Sequence, residues 1–241
     1  MFGMGTIINV IGIILGGFAG HFFGKLLSEH CQDGLTRACG ISVLFIGIAG
    51  AMEGMLSIEG GSLSGGKSMF VVACLAPGAL IGEMLNIEGG FERFGSWLKI
   101  KTGNAKDKYF VDGFVTASLT VCIGAMAVVG SIQDGISGDY SILATKAVLD
   151  LVIIMVMTCS LGKGCIFSAI PVGIFQGCIT LLARLLKPIM TDAALAGISL
   201  IGSILIFCVG VNLVWGKKVR VANLLPALIL AVMIALLPVS I

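Results

Sequence analysis

In so apolar a chain, the residues able to do chemistry are those costly to bury. Asp150 lies in Ala147-Val148-Leu149-Asp150-Leu151-Val152-Ile153, near the middle of a hydrophobic run. A carboxylate at the centre of a bilayer costs at least about 2.5–3.5 kcal/mol. It is therefore expected to face the protein interior, paired or protonated. Lys146 precedes it by four residues, on the same helix face. The spacing allows an internal ion pair that lets the helix insert, a carboxylate that couples proton or cation movement, or a direct contact to substrate. Glu83, in Gly82-Glu83-Met84, lies nearer the end of its span and could reach the interface, and Glu53 is closer still to an outer end.

Uncharged polar groups within apolar runs form a second set. Asn9, Gln176 and Asn212 are expected to face a cavity, and Ser168, Ser199, Ser203 and Asn223 also lie in spans. A run rich in small and hydroxyl residues holds Thr116, Ser118, Thr120, Gly124, Ala125, Gly130 and Ser131. Its hydroxyls can bond carbonyls of their own helix, or its small face can wall a site. Gln133, Asp134 and Asp139 follow it and could form a polar outer mouth. Prolines add backbone chemistry, since a mid-span proline removes a hydrogen bond and disturbs the preceding turn. Such breaks are tolerated at membrane depth where protein or a cavity satisfies the freed groups. Pro77, Pro171 and Pro226 occupy such positions, each expected to be a kink or a break lining a site.

No catalytic constellation is present. HExxH and GxSxG patterns are absent, and His21 and His30 have no spacing for a metal site. The expectation is a non-enzyme without cofactor, metal or nucleic-acid partner. Of the eight cysteines, Cys74, Cys122, Cys159, Cys165, Cys178 and Cys208 fall in apolar runs, where they act as small hydrophobes.

These residues must be carried by membrane helices. The 241 residues are 57% hydrophobic and only 12% charged, with a mean hydropathy of +1.09; a soluble domain carries roughly 25% charged residues. At about 20 residues per span, the chain reads as an all-α polytopic protein of about eight spans, one integral membrane domain over 1–241. The spans are placed at 5–27, 35–55, 69–87, 111–133, 142–161, 164–186, 194–215 and 221–239. Connections after the first, third, fifth and seventh hold eleven of the 15 lysines and arginines. The positive-inside rule puts those connections in the cytoplasm and both termini outside. Between Glu88 and Lys108, Phe91, Phe94, Trp97 and Leu98 recur at helical spacing beside Arg93, Lys99 and Lys101. That pattern predicts a short helix in the cytoplasmic interface, as an anchor or a lipid sensor.

Three motifs recur in order. Lys25-Leu26-Leu27 returns as Arg184-Leu185-Leu186, and Gly40-Ile41-Ser42 as Gly197-Ile198-Ser199. Val72-Ala73-Cys74-Leu75-Ala76-Pro77 returns as Val221-Ala222-Asn223-Leu224-Leu225-Pro226. An odd number of crossings separates the copies, so helices 1–3 (5–87) and 6–8 (164–239) are expected to form an inverted repeat around the central helices (111–161). Gly12, Gly16, Gly20 and Gly24 form an unbroken register of four, a face for close helix packing. Its partner is another helix of the chain or, in a homo-oligomer, of a second copy; a substrate path along the groove is the other reading.

The run Asp112-Gly113-Phe114-Val115-Thr116-Ala117-Ser118 and the stretch from Gly124 through Gly135 resemble a bacterial membrane family catalogued as domain of unknown function 554. So do Gly138-Asp139-Tyr140, Phe167-Ser168-Ala169-Ile170-Pro171-Val172 and Arg220-Val221-Ala222-Asn223-Leu224-Leu225-Pro226-Ala227. The resemblance covers nearly the whole chain. It implies a bacterial cytoplasmic-membrane location and a suggested transport role, and it assigns no functional residue.

Together these features predict a secondary transporter of a small solute or ion. The candidate binding residues are Asp150, Pro77, Pro226, Asn223, Gln176 and Glu83. The alternatives are a non-transporting scaffold or regulatory protein that assembles through its glycine face, and an ion channel.

Overall fold

A computed structural model describes residues 3–59, 62–123 and 125–236. Within it the chain is helical apart from one short hairpin and the connecting turns. Six helices are long and apolar enough to cross a membrane: α1 (Met4–Gly24), α2 (Glu29–Met55, apolar from His30), α3 (Ser68–Leu85), α7 (Ser141–Leu161), α8 (Ala169–Leu181, with the 3-10 turn Lys163–Ser168 before it) and α10 (Asp192–Trp215). At 1.5 Å per residue, 21 residues of α1 reach about 32 Å, the thickness of the hydrocarbon core.

The expected fourth span is not one rod. It is α5 (Phe110–Cys122) and α6 (Ala125–Ser137), bent by 62°. No proline marks the break; Ile123 turns to an extended backbone (φ −80°, ψ 123°), which ends α5. The expected eighth span begins as a 3-10 turn at Val221–Leu224 that leads into α11 (Pro226–Ala235); its last three residues, 237–239, lie outside the described ones. The sixth ends early, at Leu181, with the single turn α9 (Ala183–Leu186) after it. The segment expected at the interface is a helix, α4 (Ile87–Lys101). One feature was not expected: β1 (Leu56–Glu59) and β2 (Ser62–Gly65) pair antiparallel between α2 and α3, with Leu56 opposite Gly65.

Local chemistry fixes several boundaries. Ser28 caps α2 by accepting the Cys31 N–H, and Thr191 caps α10 by accepting that of Ala194. Asn86 takes the left-handed conformation (φ 47°), closing α3, and its side chain accepts the Gly89 N–H to open α4. Gly162, at φ 83°, makes the tight reversal after α7.

Glycines set the packing. A Cβ on Gly12, Gly16, Gly20 or Gly24 would fall within 3.0 Å of backbone at Ala147, Leu151, Met155 or Cys159 respectively. Both series advance by four, so α1 and α7 run parallel with their backbones in close contact. The opposite face of α1 presents Ile7, Ile11, Leu15, Phe18 and Phe22 outward, as a lipid-facing surface would. Three other pairs run antiparallel. Gly17 meets Ile166 and Gly173 meets Val10, setting α8 against α1. Gly40 meets Leu213, Gly47 meets Phe207 and Gly54 meets Leu200, setting α10 against α2. Gly78 meets Ala227 and Gly82 meets Asn223, setting α11 against α3. The central helix α5 is buried on nearly every face, through Phe110, Phe114, Val115, Ala117, Ser118, Leu119 and Val121.

Candidate functional site

Asp150 lies inside the bundle, 3% exposed, and Lys146 is 7% exposed. The Lys146 ammonium donates to both carboxylate oxygens at 2.7 Å. The sequence expectation of an interior pair one turn apart therefore holds. Both halves of the broken span pack on α7, the helix that carries the pair: Gly113 of α5 against the Leu161 carbonyl and Gly130 of α6 against Leu143.

Around this pair the interior is polar. Asn9 on α1 stands beside Asp150, yet its amide makes no formed hydrogen bond. Gln176 on α8 is fully buried, and neither end of its amide has a partner. Ser131 and Asp134 on α6, Thr6 on α1 and Thr180 on α8 are also buried. Asp134 Oδ2 accepts the Gly5 N–H at 3.0 Å, at the first turn of α1, while its Oδ1 accepts nothing among the described residues. Of the ten buried side-chain polar atoms without a partner among the described residues, eight belong to Thr6, Asn9, Ser131, Asp134, Gln176 and Thr180. Each such group is costly to bury unpaired, so their concentration on α1, α6 and α8 marks a site. The contacts agree. Gly135 packs on the Thr180 carbonyl, which seats α6 against α8 beside this belt. The belt thus runs from Asp134, at the end of the bundle where α1 and α7 begin, inward to Lys146, Asp150 and the break.

From the other end, a cavity of about 330 Å³ approaches the same central helix. Its mouth carries Glu88, Glu92, Asp112 and Lys217, and its inner wall Thr116, Leu119 and Val209. Lys217 ties α4 to the turn after α10: its ammonium lies 2.7 Å from Glu88 Oε1 and also contacts Glu92. Burial pulls the Lys217 proton affinity down, but hydrogen bonds and charge from Glu88 and Glu92 outweigh that and hold it above the ordinary lysine value. One face of α4 packs on α5, with Gly95 against Phe114 and Phe94 tilted on the same ring.

The remaining candidates gather elsewhere. Pro77 lies within the continuous helix α3, and Pro226 is the first residue of α11 rather than a mid-span break. That position suits proline, whose missing N–H has no partner to lose there. Pro171 likewise lies in the first turn of α8. Asn223 is buried beneath α3; its Oδ1 accepts the Glu88 N–H at 2.8 Å, and Glu88 Oε2 accepts the Ala222 N–H at 3.2 Å. Glu83 is half exposed and pairs with Arg220 at 3.2 Å. Asn223, Pro226 and Glu83 thus gather where α3 meets the segment leading into α11, apart from Asp150 and Gln176, while Pro77 is exposed. Asn212 serves the turn after α10, accepting the Lys218 and Val219 N–H groups and donating to the Val219 carbonyl.

Two further expectations change. The glycine face of α1 is occupied by α7 of the same chain, which removes it as a surface for a homo-oligomer. In the expected outer mouth, Gln133 donates to Asp139 at the surface, but Asp134 turns inward. Asp134 is the site residue that sequence reasoning missed. Its one signal was a position three residues after Ser131, on the small and hydroxyl face.

Comparison with known proteins fits a membrane protein of this length. The family described as "Protein of unknown function (DUF554)" matches residues 4–236. The chain is 30% identical over 226 residues to "Uncharacterized membrane protein YdfK" of Bacillus subtilis (strain 168), covering 94% of this chain and 93% of the relative. It is 30% identical over 232 residues to "Uncharacterized protein YqgA" of Escherichia coli (strain K12), covering 95% and 94%. No solved structure matches. With a match across almost its entire length, this multi-pass helical membrane protein belongs to the DUF554 family.

Proposed function

We propose that this chain is a secondary transporter of a small solute or ion in the bacterial cytoplasmic membrane, with both termini outside. The observation that carries the reading is the belt of buried, unpartnered polar groups on α1, α6 and α8, ending at the Lys146–Asp150 pair beside a broken span. Discontinuous helices that line midplane polar sites are the usual construction of transporter binding sites. The 330 Å³ cavity approaches from the α4 end, which the lysine and arginine count assigns to the cytoplasm. In this reading the chain is open to the inside and closed to the outside.

An inverted repeat supports alternating access. The pairs α1–α8, α2–α10 and α3–α11 each run antiparallel, as an in-plane two-fold axis requires. Gly78 and Ala227, which follow the matched Pro77 and Pro226, touch each other, as equivalent residues must where such an axis passes. The scaffold alternative loses the glycine face on which it rested.

The test is solute- and ion-driven flux in liposomes holding the purified protein. Flux that is retained when Asn9→Leu and Gln176→Leu are combined in a folded protein would reject this site.

A further inference from the structure

We propose that Asp134 is the binding site for a single alkali metal ion. This deepens the transport reading and rests on it for what the ion does, though not for its being bound.

The argument is one of charge and ligand type. Lys146 and Asp150 neutralise each other at 2.7 Å. Asp134 is fully buried with no cation within ion-pair distance among the described residues. Its one hydrogen bond comes from a backbone N–H, that of Gly5. That donor and the partial positive charge at the start of α1 offset only part of a full negative charge. A buried carboxylate is stabilised by binding a cation or by taking up a proton.

The neighbouring groups fit the first solution. Thr6 follows Gly5 on α1, Ser131 precedes Asp134 by one turn on α6, and the Thr180 backbone packs on Gly135. All three hydroxyl oxygens are buried without partners. A carboxylate with hydroxyls is an oxygen donor set, the kind hard cations prefer. It holds one negative charge, so one monovalent ion neutralises it.

The surroundings contain few competing charges. On α7 these are Lys146 and Asp150. Arg184 on α9, Asp192 on α10 and Asp139 in the turn after α6 are exposed. His21 stands at the far end of α1, α8 carries no ionisable side chain but Cys178, and Asp112 of α5 lines the cavity at the other end.

The experiment uses the full chain in nanodiscs at constant ionic strength. Thermal stability is measured as choline chloride is replaced by sodium, potassium or lithium chloride. Infrared difference spectra across a pH titration report a protonated carboxyl. Saturable stabilisation by one alkali chloride, lost in Asp134→Asn, identifies a metal ion. A protonated-carboxyl band that is absent from Asp134→Asn, without alkali stabilisation, overturns the proposal. Ser131→Ala and Thr180→Val keep the carboxylate and serve if Asp134→Asn does not fold; each should weaken alkali binding several-fold. Neither signal in the parent protein, or signals that these variants leave unchanged, overturns the proposal. No measurement here requires flux, so a bound ion with inactive liposomes would reject transport alone.

Discussion

Gly16 lies so close to Leu151 that a Cβ added to it would come within 2.2 Å of the Leu151 carbonyl oxygen. The obstacle is backbone in the middle of two long helices, so no side chain can move aside. Gly16→Ala should therefore destabilise the protein by about 1–3 kcal/mol, as overpacking does, and Gly16→Leu by more. Gly34, on an exposed turn of α2, has nothing within 4 Å. There Gly34→Ala should stabilise by about 0.5–1 kcal/mol through helix propensity alone. Thermal unfolding in detergent compares the two; equal effects would mean that α1 and α7 are not packed in this register.

Breaking the buried ion pair should cost more than replacing it. Asp150→Asn leaves the Lys146 ammonium buried without its carboxylate, a loss of about 3–5 kcal/mol. Lys146→Met combined with Asp150→Leu removes both charges and should recover most of that loss. Folded yield and melting temperature check the stability. Liposome flux checks the role: we expect the double variant to fold and fail to transport, whereas retained flux would reduce the pair to an insertion device.

Asn223 and Glu88 hold the α3–α4 turn against the segment leading into α11: the Asn223 side chain accepts the Glu88 N–H across 135 residues of sequence, and the Glu88 side chain accepts the Ala222 N–H across 134. Asn223→Leu should leave the Glu88 N–H unpaired and cost about 1–3 kcal/mol. Hydrogen exchange should rise first at the start of α4. Protection unchanged there would show that this contact is dispensable.

The Lys217 clamp gives a pH dependence with a definite sign. Its proton affinity is raised in the folded chain, so its contribution is complete below about pH 10.4, the unperturbed value, and is lost as pH climbs past the folded value. Lys217 is half exposed, so solvent screens the effect and it should be small. The melting temperatures of the parent and Lys217→Met should differ at pH 8 and converge as pH climbs past the raised folded value. A gap that widens with pH would contradict the assignment.

What the sequence disclosed follows from how local each signal is. Lys146 and Asp150 are one turn apart, so their pairing was written in the spacing. The glycine register announced a close contact, although only the fold could name α7 as its partner. The reversal at Gly162 and the helix α4 were equally local. Asp134 was illegible because its burial depends on Gly5, 129 residues away, reaching it. The bend after Cys122 carries no proline, and an apolar stretch with a glycine reads as an unbroken span. Pro226 misled for the opposite reason: a proline in an apolar run signals a break or a beginning, and its missing N–H fits both.

The bend in the fourth span also shapes the electric field. The cavity edged by Glu88 and Lys217 reaches Leu119 and the polar belt reaches Ser131, twelve residues apart, which as a straight helix would be about 18 Å; the 62° bend makes it less. The hydrocarbon core is about 30 Å thick. In the transport reading, an aqueous cavity on one side and an occupied polar belt on the other would confine most of the membrane voltage to the partition around Cys122 and Val128. A unit charge that traverses that partition alone would exchange nearly the whole of about 2.3 kcal/mol per 100 mV.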